Sequence, residues 1–202
     1  MSVKKNTAVI GLTGMSGAGK STACKVFRDN DFEIIDCDLI CREIVKKGKP
    51  CLSEIADKFG SDIITPEGEL NRSDLGKIIF SDKSKRLALN GIMYPYVSYI
   101  VIKSILASKS NYVVLDAPTL FESGIDDICD SIVCVVAEKN SLIKRITKRD
   151  NISAELAASR LNSQNPPEYY IEKSDYAIIN NGTSEELVSN ALKIIDTVRK
   201  DK

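Results

Sequence analysis

"GLTGMSGAGKST" (Gly11–Thr22) overlaps the end of a short apolar run, "AVIGL" (Ala8–Leu12). Inside it, Gly14-Met15-Ser16-Gly17-Ala18-Gly19-Lys20-Ser21 fits the phosphate-loop spacing G-x-x-x-x-G-K-[ST] without a mismatch. Glycines let a backbone curl so that successive N–H groups point inward at phosphate oxygens. A helix starting near Lys20 adds the positive end of its dipole. Gly14, Gly17, Ala18, Gly19 and Thr22 are therefore candidates for the cradle of a nucleotide. Lys20 would reach the β- and γ-phosphates, and Ser21 would ligate Mg²⁺. The context agrees: a strand pattern precedes the loop, and "STACKVFRDN" follows as a helix with Ala23, Val26 and Phe27 on one face.

Composition sets the outer limits. The chain has 202 residues, 43% of them hydrophobic, enough for one sizeable core with a small mobile subdomain. Lys+Arg 28 and Asp+Glu 28 cancel, so bulk charge gives no reason to expect a nucleic-acid partner. There is no histidine, which excludes Ser–His–Asp triads and His-ligated zinc. The six cysteines form no C-x-x-C pair and read as reduced, largely core residues. No stretch reaches the ~18 apolar residues of a membrane span. The expectation is a cytoplasmic protein with no membrane association and no obligate protein partner.

Further strands are expected at Phe32–Asp38, Tyr112–Pro118, Ser131–Ala137 and Tyr176–Gly182. "SEELVSNALKIIDTVRK" closes the chain as a helix with Ser184 as its cap. Strands separated by helices imply an α/β fold, a parallel sheet of the P-loop NTPase type flanked by helices. The nucleotide core is expected from residues 1–38, 110–137 and 174–202. Residues 39–109 read as a helical insertion at the strand ends, where α/β proteins bind ligands. Residues 138–173 read as a lid: two helices joined near Asp150–Ser153 and ended by Pro166-Pro167.

A phosphate loop alone does not separate ATPases, GTPases and small-molecule kinases. No N-K-x-D guanine-reading motif follows, and the two insertions favour a kinase with closing lids. Asp36 and Asp38 should end the second strand beside the loop, their side chains on the same side by alternation. Such a carboxylate can take or orient the proton of an attacking hydroxyl, or hold Mg²⁺ through water. It can equally be a strand-end cap. Asp116 follows four apolar residues in a Walker-B-like pattern, though a turn-forming Asp ahead of Pro118 would look the same. Glu122 is a weaker candidate. Arg145, Arg149 and Arg160 can stabilise charge on a transferring phosphoryl group, or lie on a solvated helix face.

Taken in order, these segments resemble the dephospho-CoA kinase family over nearly the whole chain. "IGLTGMSGAGKST" matches the family's opening, and "IIDCDLICREIV" (Ile34–Val45) its D-x-D segment. "LNRSDLGKIIF" (Leu70–Phe80) and "LNGIMYPYV" (Leu89–Val97) are similar to its inserted acceptor-side helices. "LDAPTLFESG" (Leu115–Gly124) and "SDYAIINNG" (Ser174–Gly182) resemble its later segments. The resemblance implies transfer of the ATP γ-phosphoryl group to the ribose 3′-hydroxyl of dephospho-CoA, with Mg²⁺. It implies Asp38 as catalytic base alongside Lys20 and Arg149, and Arg42 near the acceptor. Arg145 and Arg149 fall in the lid, and Asn181 and Gly182 in the loop near adenine. Four features depart from the family pattern. Met15 stands where a second glycine is usual, Tyr94 where histidine is common, and Thr119 where leucine is frequent. Pro166-Pro167 interrupt a stretch that is usually continuous helix. Tyr94 is then the candidate for the acceptor contact at that position. Another small-metabolite or nucleotide kinase, and a regulatory P-loop ATPase, are the alternative readings.

Overall fold

The computed structural model describes residues 7–80 and 82–200, with Phe80 in its backbone only. Five parallel strands form one sheet: β1 (Ala8–Gly14), β2 (Glu33–Asp36), β3 (Tyr112–Asp116), β4 (Ser131–Val136) and β5 (Tyr176–Ile179). Their spatial order is β2-β3-β1-β4-β5. Helix α1 (Lys20–Asp29) follows the loop. Between β2 and β3 lie α2 (Cys37–Glu43), α3 (Pro50–Phe59), α4 (Arg72–Phe80) and the long α5 (Lys83–Ala107). After β3 comes the short α6 (Leu120–Ser123). After β4 come α7 (Lys139–Asp150), α8 (Ala154–Asn162) and α9 (Pro167–Glu172), and α10 (Ser184–Lys200) follows β5. No helix among the described residues is long and apolar enough to cross a membrane.

Both faces of the sheet are covered, which is why its strands read as unbroken apolar runs. Alternation divides them. Ile10, Leu12, Val114 and Val133 face a core shared with Phe27 of α1 and Leu187, Ala191 and Ile195 of α10. Val9, Val113 and Leu115 face a second core with Ile55 of α3 and Val97, Val101 and Ile105 of α5. Cys24, Cys37, Cys51 and Cys134 are buried, and all six thiols are free.

Two expectations about the carboxylate pair fail here. The sheet order puts β3 between β1 and β2, so the second strand is not beside the loop strand. β2 also stops at Asp36, whose side chain accepts a 2.9 Å bond from Leu39 N and caps α2. Asp38 therefore sits in the first turn of a helix, and strand alternation does not set its direction. The third strand ends at Asp116, short of Pro118, which has no N–H to extend a ladder. The closing helix starts one residue earlier than a cap at Ser184 would place it. Thr183, not Ser184, exchanges bonds with Glu186: Glu186 N donates to Thr183 Oγ1 and Thr183 N to Glu186 Oε2, each at 3.3 Å.

The loop is shaped by close backbone packing. Gly14 (φ +144°) lies against β4 so tightly that a Cβ there would sit 2.1 Å from the Val135 carbonyl oxygen. Met15 N then donates to that same oxygen at 3.2 Å. Substituting Gly14→Ala should cost about 3 kcal/mol or more, because strain and overlap add. Gly91→Ala, at an exposed position of α5 with open space around it, should stabilise by about 0.5–1 kcal/mol. Thermal and urea denaturation of the two variants checks both signs.

Candidate active site

A cavity of about 500 Å³ opens over the loop, lined by Gly14–Gly17, Gly19, Lys20 and Ser21, and by Pro118, Arg145, Arg149 and Gln164. Lys20 Nζ makes an ion pair with Asp116 at the end of β3, both side chains being mostly shielded (18% and 20% exposed). The register explains it: Asp116 pairs with Leu12, two residues before the loop begins. Ser21 is exposed in the first turn of α1. Met15 has no positive φ, and its side chain is buried in the core, so an L-residue fits where a second glycine is usual. Ala18 and Thr22 lie behind the cavity. Ala18 N donates to Met15 O (3.1 Å) and Thr22 N to Gly19 O (3.0 Å).

The back of the loop is held by Asn180, a residue the sequence reading passed over in favour of its neighbour Asn181. Buried Asn180 donates from Nδ2 to Ala18 O at 2.7 Å. Its N–H bonds to Val136 O (2.8 Å), and its carbonyl accepts from Arg145 Nη2 (3.0 Å). Strand parity carried the signal: Ile178 is buried and Ile179 exposed, so Asn180 points inward and Asn181 outward. Asn181 is exposed and paired with Glu138 through two bonds, Glu138 N to Oδ1 (2.8 Å) and Nδ2 to Glu138 Oε1 (3.1 Å). Gly182 is exposed ahead of α10, where a Cβ would collide with the Glu186 carboxylate. Arg145 Nη1 is a buried donor without a partner among the described residues, on a side chain that lines the loop cavity. Such a group calls for an acceptor.

Arg149, at the last turn of α7, reaches Ser16 Oγ (3.4 Å) and is also bonded to Asp150 (2.7 and 3.0 Å). Asp150 takes a further bond from Arg160 Nη1 at 2.8 Å, so Arg160 serves that carboxylate rather than the loop. Hydrogen bonding from Arg149 holds the Asp150 carboxyl below its ordinary range, and Arg160 adds to the effect. Gln164 Oε1 accepts from Ser16 N at 3.1 Å, a contact with no motif to announce it.

A second cavity, about 220 Å³, lies on the other side of the segment that follows β3. Asp38, Cys41, Asn90 and Tyr94 line it together with Ala117 and Thr119. The Asp38 carboxyl is raised from its ordinary value, chiefly by withdrawal from water; Lys20 opposes this, Asp36 and Asp116 add to it, and Arg42 opposes it weakly. Arg42 itself is exposed at the end of α2. Burial pushes the thiol of Cys37, next to Asp38, up to about 12. The thiols of Cys37 and Cys41, both raised by burial, flank this wall, and Asp38 is the carboxyl among the residues that line it.

Residues 8–186 match the family model for dephospho-CoA kinase (CoaE). The chain belongs to that family. A dephospho-CoA kinase of Bacillus anthracis is 39% identical over 180 residues, covering 88% of this chain and 90% of that protein. One from Arabidopsis thaliana is 35% identical over 195 residues, covering 95% of this chain and 84% of that protein. Among solved structures, TT1252 from Thermus thermophilus superimposes with a TM-score of 0.81 at 26% identity, covering 95% of this chain and 97% of that one. Membership of the dephospho-CoA kinase family therefore spans both cavities and every strand of the sheet.

The Lys20–Asp116 pair can be tested apart from any reaction. In a double-mutant cycle, Lys20→Ala and Asp116→Ala should show a coupling of about 1 kcal/mol in unfolding free energy, since each single change leaves a shielded charge unpaired. ATP should raise the melting temperature of the wild type and of Asp116→Ala, and leave Lys20→Ala unmoved, as read by differential scanning fluorimetry.

Proposed function

We propose that this chain transfers the γ-phosphoryl group of ATP to the ribose 3′-hydroxyl of dephospho-CoA, giving coenzyme A and ADP. The observation that carries this reading is the wall between the two cavities. Ala117, Pro118 and Thr119 are consecutive, yet Pro118 faces the loop cavity and its two neighbours face the Asp38 cavity. Donor and acceptor pockets share one strand end, as a direct transfer between two bound molecules requires.

In this reading Gly14, Gly17, Ala18, Gly19 and Thr22 shape the anion cradle. Lys20 leaves Asp116 for the β- and γ-phosphates. Arg145 and Arg149 neutralise charge that spreads over the transferred oxygens. Asn181 and Gly182 form the rim on the adenine side. On the acceptor side, Arg42 and Tyr94 hold dephospho-CoA, and Asp38 orients the 3′-hydroxyl and takes its proton. The bond from the 3′-oxygen to phosphorus forms as the bond to the β–γ bridging oxygen breaks, and ADP departs. Residues 39–109 form the acceptor side in this scheme, residues 138–173 close as a lid, and the remainder is the nucleotide core.

The donor set suits a hard divalent cation. Among the described residues no cluster of three acidic or thiol side chains could hold one alone. Mg²⁺ in phosphoryl-transfer sites takes most of its ligands from phosphate and water. Ser21 would hold it directly, with Asp38 or Asp116 reached through water. When bound, Mg²⁺ neutralises charge on the phosphate oxygens. Free thiols throughout suit a reducing cytoplasm.

A coupled ADP-release assay with dephospho-CoA against a panel of nucleosides and nucleotides tests the substrate. Dephospho-CoA should be the preferred acceptor, and equal rates with a nucleoside would overturn the assignment. Asp38→Asn should cut kcat by about 100-fold or more while ATP binding holds. The pH dependence has a definite sign. A base must be ionised, so kcat/KM rises as pH passes the raised carboxyl value and is flat above it. The same upward shift means the folded state holds the proton longer than the unfolded chain. The ionised form therefore weakens the fold as pH rises, and Asp38→Asn should melt no lower than the wild type at neutral pH.

A further inference from the structure

The turn between α8 and α9 lines the loop cavity and is linked by hydrogen bonds to a residue that lines the Asp38 cavity. On one side Gln164 Oε1 accepts from Ser16 N at 3.1 Å, at the rim of the phosphate loop. On the other, Asn165 Nδ2 donates to Glu122 Oε1 at 2.8 Å. The Glu122 carbonyl in turn accepts from Asn90 Nδ2 (2.9 Å), and Asn90 lines the Asp38 cavity. Adjacent residues thus hold the rim of the donor pocket and, through Glu122, a residue of the acceptor wall. The turn itself is stiff. Gln164 N is bonded back to Leu161 O (3.1 Å), Pro166 has its ring-fixed φ of −69°, and Pro167 opens α9. Tyr169, one turn on, packs edge-on against Phe121 at 5.8 Å. The oxygen of the Gln164 amide must face Ser16, because Ser16 offers an N–H there.

We propose that Gln164 and Asn165 are positioning residues, a clasp that fixes the rim of the phosphate loop relative to the acceptor wall. Gln164 acts through the Ser16 N–H, and Asn165 acts through Glu122. Neither needs to touch the reacting atoms. A clasp of this kind aligns the transferred group with the acceptor hydroxyl rather than with water. Loss of one end should therefore lower transfer more than it lowers acceptor-independent ATP hydrolysis. This inference rests on the kinase reading above.

The test measures transfer to dephospho-CoA, ATP hydrolysis without it, both KM values and the melting temperature. The proteins are the wild type, Gln164→Ala, Asn165→Ala, the double variant and Gln164→Glu. Each alanine variant should lose about fivefold to tenfold in kcat for transfer, the scale of one net hydrogen bond. KM for ATP should move less than about threefold in each, and the ratio of hydrolysis to transfer should rise. The double variant should lose no more than about the larger single loss, since cutting either end opens the same clasp. Gln164→Glu keeps an acceptor for Ser16 N–H. It should hold the wild-type ratio even as its charge raises KM for ATP. Unchanged ratios, additive losses, or losses that track melting temperature in every variant would overturn the clasp. A wild type that fails to phosphorylate dephospho-CoA would instead overturn the kinase reading, so the two failures are distinguishable.

Discussion

Gly14 and Val135 meet through backbone alone, and the site depends on that approach. At the end of β1 the chain must turn outward while still in contact with β4, and the Val135 carbonyl occupies the space any side chain would take. Because Gly14 yields that space, Met15 N can bond to Val135 O and its side chain can enter the core. The loop then rises over the sheet, and α1 begins at Lys20 with its N-terminus facing the cavity. Gly19 repeats the device on the other flank, where a Cβ would strike Leu187 and Asn180. The cradle is thus moulded by its neighbours, and its glycines mark where they press.

Two aspartates two residues apart have divided labour. Asp36 satisfies the start of α2, and Asp38 faces the second cavity from the helix so formed. The cap sets the helix, and the helix aims the carboxyl. Structure and chemistry are linked here by one hydrogen bond from Leu39 N.

Most of the fold was legible in the sequence. Doubly covered parallel strands show as apolar runs, and the phosphate-loop spacing tied the first of them to a helix. What misled was local. Seven residues of extended-looking sequence, Phe32–Asp38, hid a helix start, because an aspartate at a strand end and one at a helix cap look alike until the next N–H is placed. Strand order was out of reach as well, since nothing in a βαβ pattern says which strands become neighbours. At the site, Lys20, Ser21, Asp38, Arg145, Arg149 and Tyr94 do gather around two adjoining cavities. Asn180 and Gln164 were missed for different reasons. Asn180 was readable from the parity of β5. Gln164 lies in a charged, proline-ended stretch, and only the folding of α8 back onto the loop gives it a partner.

The grip of Asn180 on Ala18 joins a residue near the start of the chain to one near the last strand. Leu187 presses on Gly19 from α10, and Arg199 closes over Phe32 and the carbonyl of Asn30. During synthesis, then, the glycine loop is made well before the elements that mould it. Until β5 and α10 emerge, the nascent chain carries the phosphate motif without the neighbours that mould it, and nucleotide can begin to assist folding only after α10 has been made.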